Sequence, residues 1–477
     1  MKKNFSRREF LQTSGGVAGA LAAANTIRLD AEAIPPARLG PASDRIRFGI
    51  IGVGMQGSGL LTTSITLPGV ECVAACDLYD GRHTLANEIV NPSLPTTRRY
   101  QELLDNKEID CLIAAVPDHW HRQIVVDAVN SGKDIYCEKP MSHSVADGFD
   151  MAAAQQKTGK FVQVGSQRVS SAIYGKAKEL LAQGAIGDLC LVEGSLGRND
   201  PTGAWEYPPP PDLSTQTLDW DMWQGTAPKR AFDPLLFARW RCWKEYGTGV
   251  AGDLLVHMIS GIMFALNLNE PPKRAMAMGG ILRWKDGRNM PDVHASLFEY
   301  GNVPIYARLN LGTESPEVVR FQGAKGYIEV SEGAVTHVPQ PGVDISPSYY
   351  ATQSFPRAMR QEYLNQWHAE HDPPPGQEPL EAATTYRGVS YDELKPHLWR
   401  FFEAVRTRKP VVEDAVFGNH AALACHMANE AYFRKSAVTF ERRARASRTL
   451  TRCKLGPLSR NSAPKGGDRR DFRLKGH

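Results

Sequence analysis

The chain has 477 residues, 42% of them hydrophobic and 23% charged, which provides for a large core and two or more domains. The formal net charge of +4 is too small to indicate a nucleic-acid-binding protein, so we expect no nucleic-acid partner. The eight cysteines show no metal-ligand or redox spacing, so the sequence predicts neither a metal site nor a disulfide framework.

The N-terminal segment has the pattern of an export signal. Residues 6–11 (SRREFL) contain the Arg7–Arg8 pair of a twin-arginine motif, a Gly/Ala-rich apolar stretch follows, and AEA at 31–33 offers a cleavage site. The alternative is an amphipathic first helix of the folded domain, but a Gly/Ala run makes a poor core helix. We expect a signal peptide at 1–33, a linker at 34–44 and a periplasmic protein exported by the twin-arginine pathway. The apolar stretch is too short for a stable membrane span.

A glycine-rich turn between a buried strand and a helix predicts a dinucleotide site. The apolar run RIRFGIIG leads into Gly52-Val-Gly54-Met55-Gln56-Gly57, and a helical pattern follows. Gly52 permits the tight turn, Gly54 lets the backbone approach a pyrophosphate, and Gly57 lets the helix pack on the strand. The start of the helix, with Met55 and Gln56, then presents the positive end of its dipole to the phosphates.

An acidic residue at the end of the next strand indicates which dinucleotide is bound. The run VECVAACD ends at Asp77, twenty residues past Gly57. A carboxylate at this position accepts hydrogen bonds from the ribose hydroxyls and repels a 2′-phosphate. The sequence therefore favours NAD as the cofactor, while the nearby Arg82 keeps NADP open as an alternative.

Strand-like and helix-like patterns continue to alternate after this turn. Three apolar runs are predicted to be buried strands separated by amphipathic helices: DCLIAAVP, KDIYCEKP and KFVQVGSQR. This alternation indicates a doubly wound parallel sheet. Ligands of such sheets bind beyond the carboxyl ends of the strands. Pro117, Lys139, Gln167 and Arg168 fall at such ends, so we expect them near the ligand.

Three motifs in order resemble those of the Gfo/Idh/MocA oxidoreductases. They are the turn at 52–57, the tripeptide EKP at 138–140 and the stretch GTGVAGDLLVH at 247–257. The resemblance covers about 45–435, and the runs VPDHWH and QVGSQR are similar to those of exported, twin-arginine members. It implies an α/β fold: an N-terminal Rossmann doubly wound parallel sheet and a C-terminal α+β domain with a large, mostly antiparallel open sheet.

The resemblance also implies a domain organisation. We expect the NAD(P)-binding Rossmann domain at 45–168 and a substrate and oligomerisation domain at 169–440, whose late helix, at about 418–436, packs back on the first domain. A homo-oligomer, dimer or tetramer, would form through the C-terminal sheet. The tail at 441–477 has twelve Lys/Arg against three Asp/Glu and no apolar periodicity, which predicts a disordered basic segment, with a polyanion-binding arm as the alternative.

In this family the lysine of the EKP strand and the Asp-x-x-x-His helix meet at the nicotinamide from different domains. The resemblance implies that Lys139 hydrogen-bonds the reacting hydroxyl and lowers its pKa. His257 would be the general base in oxidation and the acid in reduction, with a pKa near the working pH. Asp253, four residues earlier, would bind substrate hydroxyls and influence His257. The alternative is a helix cap and a hydrogen-bonded core histidine.

Further residues are weaker candidates for the walls of the site. We expect His119, His121 and Glu138 to line the nicotinamide or substrate pocket; a metal role for the two histidines is disfavoured because no acidic or cysteine partner is near.

Aromatic and basic residues in the middle of the chain are candidates for sugar binding. Arg168, Trp243 and Tyr246, with Trp240 and Arg241, could stack on and hydrogen-bond a sugar. Core and interface packing is the alternative for these side chains.

Together these features predict a periplasmic NAD(P)-dependent oxidoreductase that acts on a hydroxyl carbon of a carbohydrate or polyol, with a retained cofactor. One alternative is an NAD-dependent glycoside hydrolase or lyase that works by transient oxidation and elimination. The other is a non-catalytic sugar-binding protein on the same fold. The intact Lys139, Asp253 and His257 favour an enzyme.

Overall fold

The structure, a computed structural model, describes residues 25–30, 34, 45–341, 347, 349–371, 381–388, 393–441 and 456–457. The twin-arginine motif, the AEA cleavage site and most of the basic tail lie outside the described residues. Among the residues described, no helix combines the length and the apolar character needed to cross a bilayer.

The first strand, β1 (Asn25–Leu29), belongs to a sheet described below, and the chain then builds a parallel sheet. Within the described residues this sheet has six strands in the order β4-β3-β2-β5-β6-β7, and every pair is parallel. The strands are β2 (Ile46–Ile51), β3 (Val70–Cys76), β4 (Thr96–Thr97), β5 (Cys111–Ala114), β6 (Asp134–Cys137) and β7 (Val162–Val164). Their apolar runs are buried on both faces, as parallel strands require.

Helices cover both faces of the parallel sheet. The connecting helices are α1 (Met55–Ser64), α2 (Asp80–Ile89), α3 (Tyr100–Asp105), α4 (Asp118–Asn130) and α5 (Val145–Thr158). One apolar core contains side chains of α4 and α5, and the other contains Leu60 and Leu61 of α1. This is the predicted doubly wound Rossmann architecture.

The second sheet is larger and mixed. It has eleven strands among the described residues, in the order β1-β15-β14-β13-β12-β8-β11-β10-β9-β16-β17. All pairs are antiparallel except β1–β15 and β8–β11. The strands after β1 are β8 (Leu189–Gly197), β9 (Arg274–Gly280), β10 (Val293–Tyr300), β11 (Val303–Asn310), β12 (Ser315–Gly323), β13 (Gly326–Ser331), β14 (Ala334–Pro339), β15 (Thr384–Gly388), β16 (Val438–Thr439) and β17 (Gly456–Pro457). The predicted open, mostly antiparallel sheet is confirmed.

One face of the large sheet carries the second domain's core. The remaining helices are α6 (Ala172–Ala182), α7 (Trp220–Gln224), α8 (Pro234–Ala238), α9 (Val256–Leu266), α10 (Tyr349–Thr352), α11 (Arg357–Glu370), α12 (Leu394–Thr407) and α13 (Ala415–Arg434). Buried side chains of α6, α9 and α13 pack on this face. The opposite face leaves Met276, Met278, Leu297 and Tyr306 exposed on β9, β10 and β11.

Two late helices connect the domains. The N-terminal part of α13 packs on α5, and Ala415 and Ala422 lie in a core of the parallel sheet. Helix α12, which the sequence assigned to the second domain, places Leu398, Phe401 and Phe402 in the other core of the first domain. The chain thus returns to the first sheet twice.

Two ends of the large sheet involve segments predicted to lie outside the folded domains. Strand β1 falls within 1–33, the predicted signal peptide, and pairs with β15 over five residues. Cleavage after position 33 would remove this edge strand. Strand β17 falls within the predicted tail and pairs with β16. The domain boundaries at 33, 168 and 440 stay predictions.

Candidate active site

A cleft of about 360 Å³ opens at the carboxyl ends of the parallel strands, between the two domains. This volume lies in the range of small-molecule sites. The cleft brings together most of the residues expected at the cofactor: Gly52, Gly54, Met55, Gln56, Asp77, Pro117, Glu138, Lys139 and Gln167. The second domain contributes Arg198, Trp205, Tyr207, Trp240, Arg241, Asp253 and His257.

The glycine turn has the geometry of a phosphate cradle. Gly52 has a φ of +88°, which L residues rarely adopt. Gly57 packs so closely on the Gly52 carbonyl that no side chain would fit, and so it forms the floor of the turn and does not line the cleft. Helix α1 begins at Met55 with no side-chain cap, which leaves its first N–H groups for an anion. These features fit the pyrophosphate of a dinucleotide.

Asp77 lies at the end of the cleft expected to hold the ribose. Its carboxylate accepts hydrogen bonds from the backbone N–H groups of Val53 (2.8 Å) and Tyr79 (3.0 Å), so its orientation is fixed. The Arg82 guanidinium lies 3.5 Å from the same carboxylate and 5.1 Å from the centre of the Phe237 ring. The carboxylate retains acceptor capacity for ribose hydroxyls.

Glu138 connects the glycine turn to the EKP strand. Its carboxylate accepts hydrogen bonds from Gln56 Nε2 (3.0 Å) and the Lys139 backbone N–H (3.1 Å), and more weakly from Gln167 Nε2 (3.5 Å). Burial raises the pKa of Glu138, although the neighbouring Lys139 opposes the shift. Glu138 therefore positions the residues around it.

Lys139 and Asp253 meet across the domain boundary, as expected. Lys139 Nζ donates to the Asp253 carbonyl (2.7 Å) and to its carboxylate (2.9 Å). Arg241 Nε donates to the same carboxylate oxygen at 3.1 Å. Burial alone would raise the pKa of Asp253, but the charges of Lys139 and Arg241 hold it well below its usual range. Asp253 is thus an anion shared by two cations.

His257 also lines the cleft, but its titration differs from the expectation. Enclosure in the cleft, then the charges of Lys139 and Arg168, hold the pKa of His257 well below 6.5, so the ring is neutral at working pH. The structure therefore does not support the sequence expectation of a pKa near working pH. A π-helical turn at Ala251–Leu255 precedes α9, where a regular helix was expected, and it places Asp253 towards Lys139.

The structure does not bring His119 and His121 into the cleft. His121 is buried, and its two ring nitrogens lie 2.8 and 2.9 Å from the carbonyl oxygens of Pro140 and Val116. His119 Nε2 lies 2.9 Å from the Trp223 carbonyl. The ring nitrogens of both histidines thus contact backbone carbonyls, and both side chains pack behind the residues that line the cleft. Among the described residues no cluster of three potential metal-ligating side chains occurs.

Three predicted substrate residues also lie outside the cleft. Arg168 forms ion pairs with Glu317 (2.8 Å) and Glu393. Tyr246 is fully buried in an aromatic cluster, and Trp243 packs against the same cluster. The alternative of core and interface packing holds for these side chains, because two carboxylates pair with Arg168 and aromatic neighbours enclose the two rings.

Sequence reasoning missed Arg198, Trp205 and Tyr207. Arg198 directly follows β8, and its backbone N–H donates to the Asn310 carbonyl of β11 (2.9 Å). The only sequence signal was a basic residue at a strand end. Its position near His257 depends on how the large sheet meets the first domain, which local pattern does not encode.

The fold and this cleft define a dinucleotide-binding domain joined to a mixed-sheet domain. Residues 46–166 match the sequence model of the oxidoreductase family with an NAD-binding Rossmann fold. This match assigns the first domain, residues 46–166, to the Gfo/Idh/MocA oxidoreductase family. For this domain, the predicted family and the predicted NAD-type cofactor fold are confirmed.

Two relatives illustrate the range of similar proteins. Inositol 2-dehydrogenase of Salmonella typhimurium is 33% identical over 151 residues, which is 31% of this chain and 45% of that protein. A glycosyl hydrolase family 109 protein of a Shewanella species is 30% identical over 209 residues, 39% of this chain and 44% of that protein. The chain thus matches less than half the length of these relatives.

The similarity to solved structures extends over both domains. Levoglucosan dehydrogenase, solved with NADH and levoglucosan, superposes with a TM-score of 0.59 and covers 83% of this chain and 99% of its own length. The two sequences are 17% identical, so the likeness concerns the fold.

Proposed function

We propose that the chain is an NAD-dependent oxidoreductase that acts on a hydroxyl carbon of a carbohydrate or polyol. The observation that carries the proposal is the meeting of Lys139, Asp253 and His257 from two domains in the cleft that holds the glycine turn. The similarity to an inositol dehydrogenase and to the fold of levoglucosan dehydrogenase supports a polyhydroxylated substrate.

The residues divide the chemistry between proton transfer and charge stabilisation. NAD, when bound, supplies the acceptor for the hydride that leaves the hydroxyl carbon. Lys139 donates two hydrogen bonds to Asp253 and has a third N–H for the substrate oxygen, where it stabilises developing negative charge. Neutral His257 accepts the hydroxyl proton in oxidation and returns it in reduction. Asp253 keeps Lys139 and Arg241 in place.

We also propose that the nucleotide remains bound between turnovers. An exported enzyme meets little free nucleotide, so a cofactor that dissociated in each cycle would be lost. The substrate domain contacts the first domain beside the ribose end, where Phe237 lies over Arg82. A retained cofactor has to be restored by a second carbohydrate, in ping-pong exchange, or by a redox-neutral reaction.

The test begins with the protein as purified. We expect nearly stoichiometric nucleotide that survives dialysis, and a change in its redox state on exposure to members of a sugar and polyol panel. Lys139→Ala and His257→Ala should each reduce turnover by about 10²- to 10⁴-fold with little change in nucleotide content. His368→Ala, an exposed position on α11, is the control. Wild-type turnover in either cleft variant would contradict its assigned role.

A second candidate function is NAD-dependent glycoside hydrolysis, favoured by the glycosyl hydrolase family 109 relatives. In that reaction the substrate carbon is oxidised, the glycosidic group leaves by elimination, water adds, and the carbon is reduced again, so no net redox change occurs. Product analysis on glycosides distinguishes the candidates: a released aglycone with an unoxidised sugar indicates hydrolysis, and an oxidised sugar indicates the dehydrogenase.

We propose export by the twin-arginine pathway, which rests on the Arg7–Arg8 pair and the Gly/Ala stretch. Replacing both arginines with lysine should leave folded precursor in the cytoplasm, as measured by cell fractionation. Unchanged appearance in the periplasm would rule the pathway out.

We further propose a homo-oligomer through the large sheet. On its outer face Leu297 is 44% exposed, and its cross-strand partners Met276 and Tyr306 are 50% and 38% exposed. Contiguous apolar exposure of this kind is typical of an interface. Leu297→Lys should reduce the mass measured by light scattering, whereas Met359→Lys on exposed α11 should not. A parent that is monomeric would refute the proposal.

A further inference from the structure

Arg198 is placed to contact whatever binds beside His257. It follows β8, where its backbone is held by the Asn310 carbonyl, and its half-buried side chain lines the cleft with Tyr207 and His257. Its positive charge is near enough to contribute to the lowered pKa of His257. Arg198 therefore lies at the substrate end of the cleft and not at the ribose end.

The substrate end carries more positive than negative charge. Lys139 and Arg241 share one carboxylate, that of Asp253. The Arg198 guanidinium has no ion pair or side-chain hydrogen bond with any residue that the structure describes. Two other arginines of this domain behave differently, since Arg239 pairs with Glu206 and Arg288 pairs with Asp286. The Glu138 carboxylate also lies in the cleft beside Lys139. Three cations thus face two carboxylates around the reacting position, which leaves one positive charge in excess.

A second observation shows that the segment after Arg198 is built to face the cleft. Trp205 is 2% exposed and has a φ of +63°. A bulky residue in the left-handed region costs about 1–3 kcal/mol and is found where function constrains the backbone. This conformation places the Trp205 ring in the cleft wall beside Tyr207. Aromatic side chains and a cation that line the same cleft suit a sugar ring that bears a charged substituent.

We propose that the substrate is a carbohydrate carrying an anionic group, a carboxylate or a phosphate, which Arg198 binds. The inference rests on the proposed oxidoreductase function and names its substrate class. The guanidinium fork matches carboxylate and phosphate oxygens in paired hydrogen bonds. An anionic substituent would balance the excess charge once water leaves the cleft, whereas a neutral sugar would leave the guanidinium without a counter-charge.

Matched substrate pairs test the proposal in the holoenzyme. The pairs are glucose with glucuronate, galactose with galacturonate, glucose with glucose 6-phosphate, and inositol with inositol phosphate. We expect the anionic member of at least one pair to be preferred in kcat/KM, and in calorimetric affinity, by about tenfold or more. Preference for the carboxylates or for the phosphates identifies which anion the site takes, and either supports the proposal.

Variants then assign the preference to Arg198. Arg198→Gln should reduce the anionic-to-neutral ratio of kcat/KM by about 10- to 100-fold, the range for a lost charged hydrogen bond, and Arg198→Lys should restore part of it. Arg320→Gln, which removes an arginine remote from the cleft on β12, should leave the ratio unchanged. If only neutral sugars are turned over, or if Arg198→Gln leaves the anionic-to-neutral ratio of kcat/KM unchanged, the inference about the substrate is wrong while the proposed function stands. Absence of any nucleotide reduction across all pairs would instead overturn the proposed function.

Discussion

Asp253 is the residue through which the two domains meet at the reacting position. Its carboxylate binds Lys139 from the first domain and Arg241 from the second. Because the acid is ionised and enclosed, it fixes both cations without neutralising the site. His257 lies one helical turn further on, where burial and then the nearby positive charges of Lys139 and Arg168 lower its pKa, so the ring stays neutral. The ring is therefore ready to accept a proton, which is the state that oxidation of an alcohol requires.

This arrangement predicts the pH dependence of oxidation. The pKa of His257 lies below 6.5, so lowering the pH to 6.5 should not protonate it, and the acidic limb of kcat/KM should fall below that value. The measurement is a kcat/KM profile for the oxidative direction with nucleotide-loaded protein, together with circular dichroism to show that the fold persists. An acidic limb centred above pH 7 would contradict a neutral His257 in the free enzyme.

A second prediction at the residue scale concerns the glycine turn. A side chain at Gly54 would enter the cleft, with its Cβ 3.0 Å from the Arg82 guanidinium, so Gly54→Val should block nucleotide binding while the core packing stays intact. We expect protein that purifies without nucleotide yet unfolds near the parent's temperature. Gly59→Ala is the matched control, since a Cβ there contacts nothing within 4 Å. Normal nucleotide content in Gly54→Val would show that the glycine turn is not part of the nucleotide site.

Among the structural elements, the segment at 198–247 decides how enclosed the cleft is. It leaves the large sheet after β8 and reaches the first domain, where the Asp80 N–H donates to the Thr217 carbonyl (2.9 Å) and the Asp219 N–H to the Leu78 carbonyl (3.1 Å). The Tyr79 hydroxyl donates to Asp212. An aromatic cluster that includes Trp220 and Trp223 stabilises the segment. These contacts lie directly after Asp77, beside the ribose end.

We therefore expect this segment to slow nucleotide release. Tyr79→Phe keeps the ring in the aromatic cluster and removes only the hydrogen bond to Asp212, which should speed release by about 5- to 20-fold. Release is measured by chasing bound nucleotide with an excess of an analogue and following nucleotide fluorescence. Tyr327→Phe on β13, in the large sheet away from the cleft, is the control. Equal release rates in parent and Tyr79→Phe would show that the segment does not limit dissociation.

At the scale of the whole molecule, buried histidines connect stability to pH. Burial lowers the pKa of His294 and His397 to about 4 and of His426 to about 3. These rings are neutral in the folded protein below pH 6.5, where the unfolded chain binds a proton at each. Stability is therefore lost as the pH falls below 6.5. Burial raises the pKa of Glu413, which acts in the opposite direction, so a variant is needed to isolate one histidine.

His397→Gln provides that comparison. His397 is fully buried, with Nδ1 2.8 Å from Ser170 Oγ and Nε2 2.8 Å from the Val164 carbonyl. Below pH 6.5 the parent should lose about 1.4 kcal/mol more free energy of unfolding per pH unit than the variant, the value for one proton. Urea unfolding at pH 7.5, 6.5 and 5.5 measures the difference in slope. The exposed His368→Gln should keep the parent's slope, and a parallel slope in His397→Gln would show that His397 is protonated when folded.

Local sequence determined the first domain and half of the site. The strand, the glycine turn, the following helix and Asp77 lie within about 30 residues. Their formation depends on the burial and backbone conformation of residues close together in the chain, so a local pattern is enough to predict them. The EKP tripeptide and the Asp-x-x-x-His spacing gave Lys139, Asp253 and His257 only through resemblance to a family. Nothing in their local spacing requires that they meet.

Tertiary structure decided which of the remaining candidates enter the cleft. His119, Arg168 and Tyr246 have the right chemistry, but groups from distant segments keep them out of the cleft. Backbone carbonyls contact His119, carboxylates pair with Arg168, and aromatic rings enclose Tyr246. Arg198 and Arg241 reach the cleft because β8 and the segment after it return across the first domain. A side chain's availability depends on partners far away in the chain. Sequence thus determined the cofactor fold, and only long-range packing decided which charges remain for a substrate.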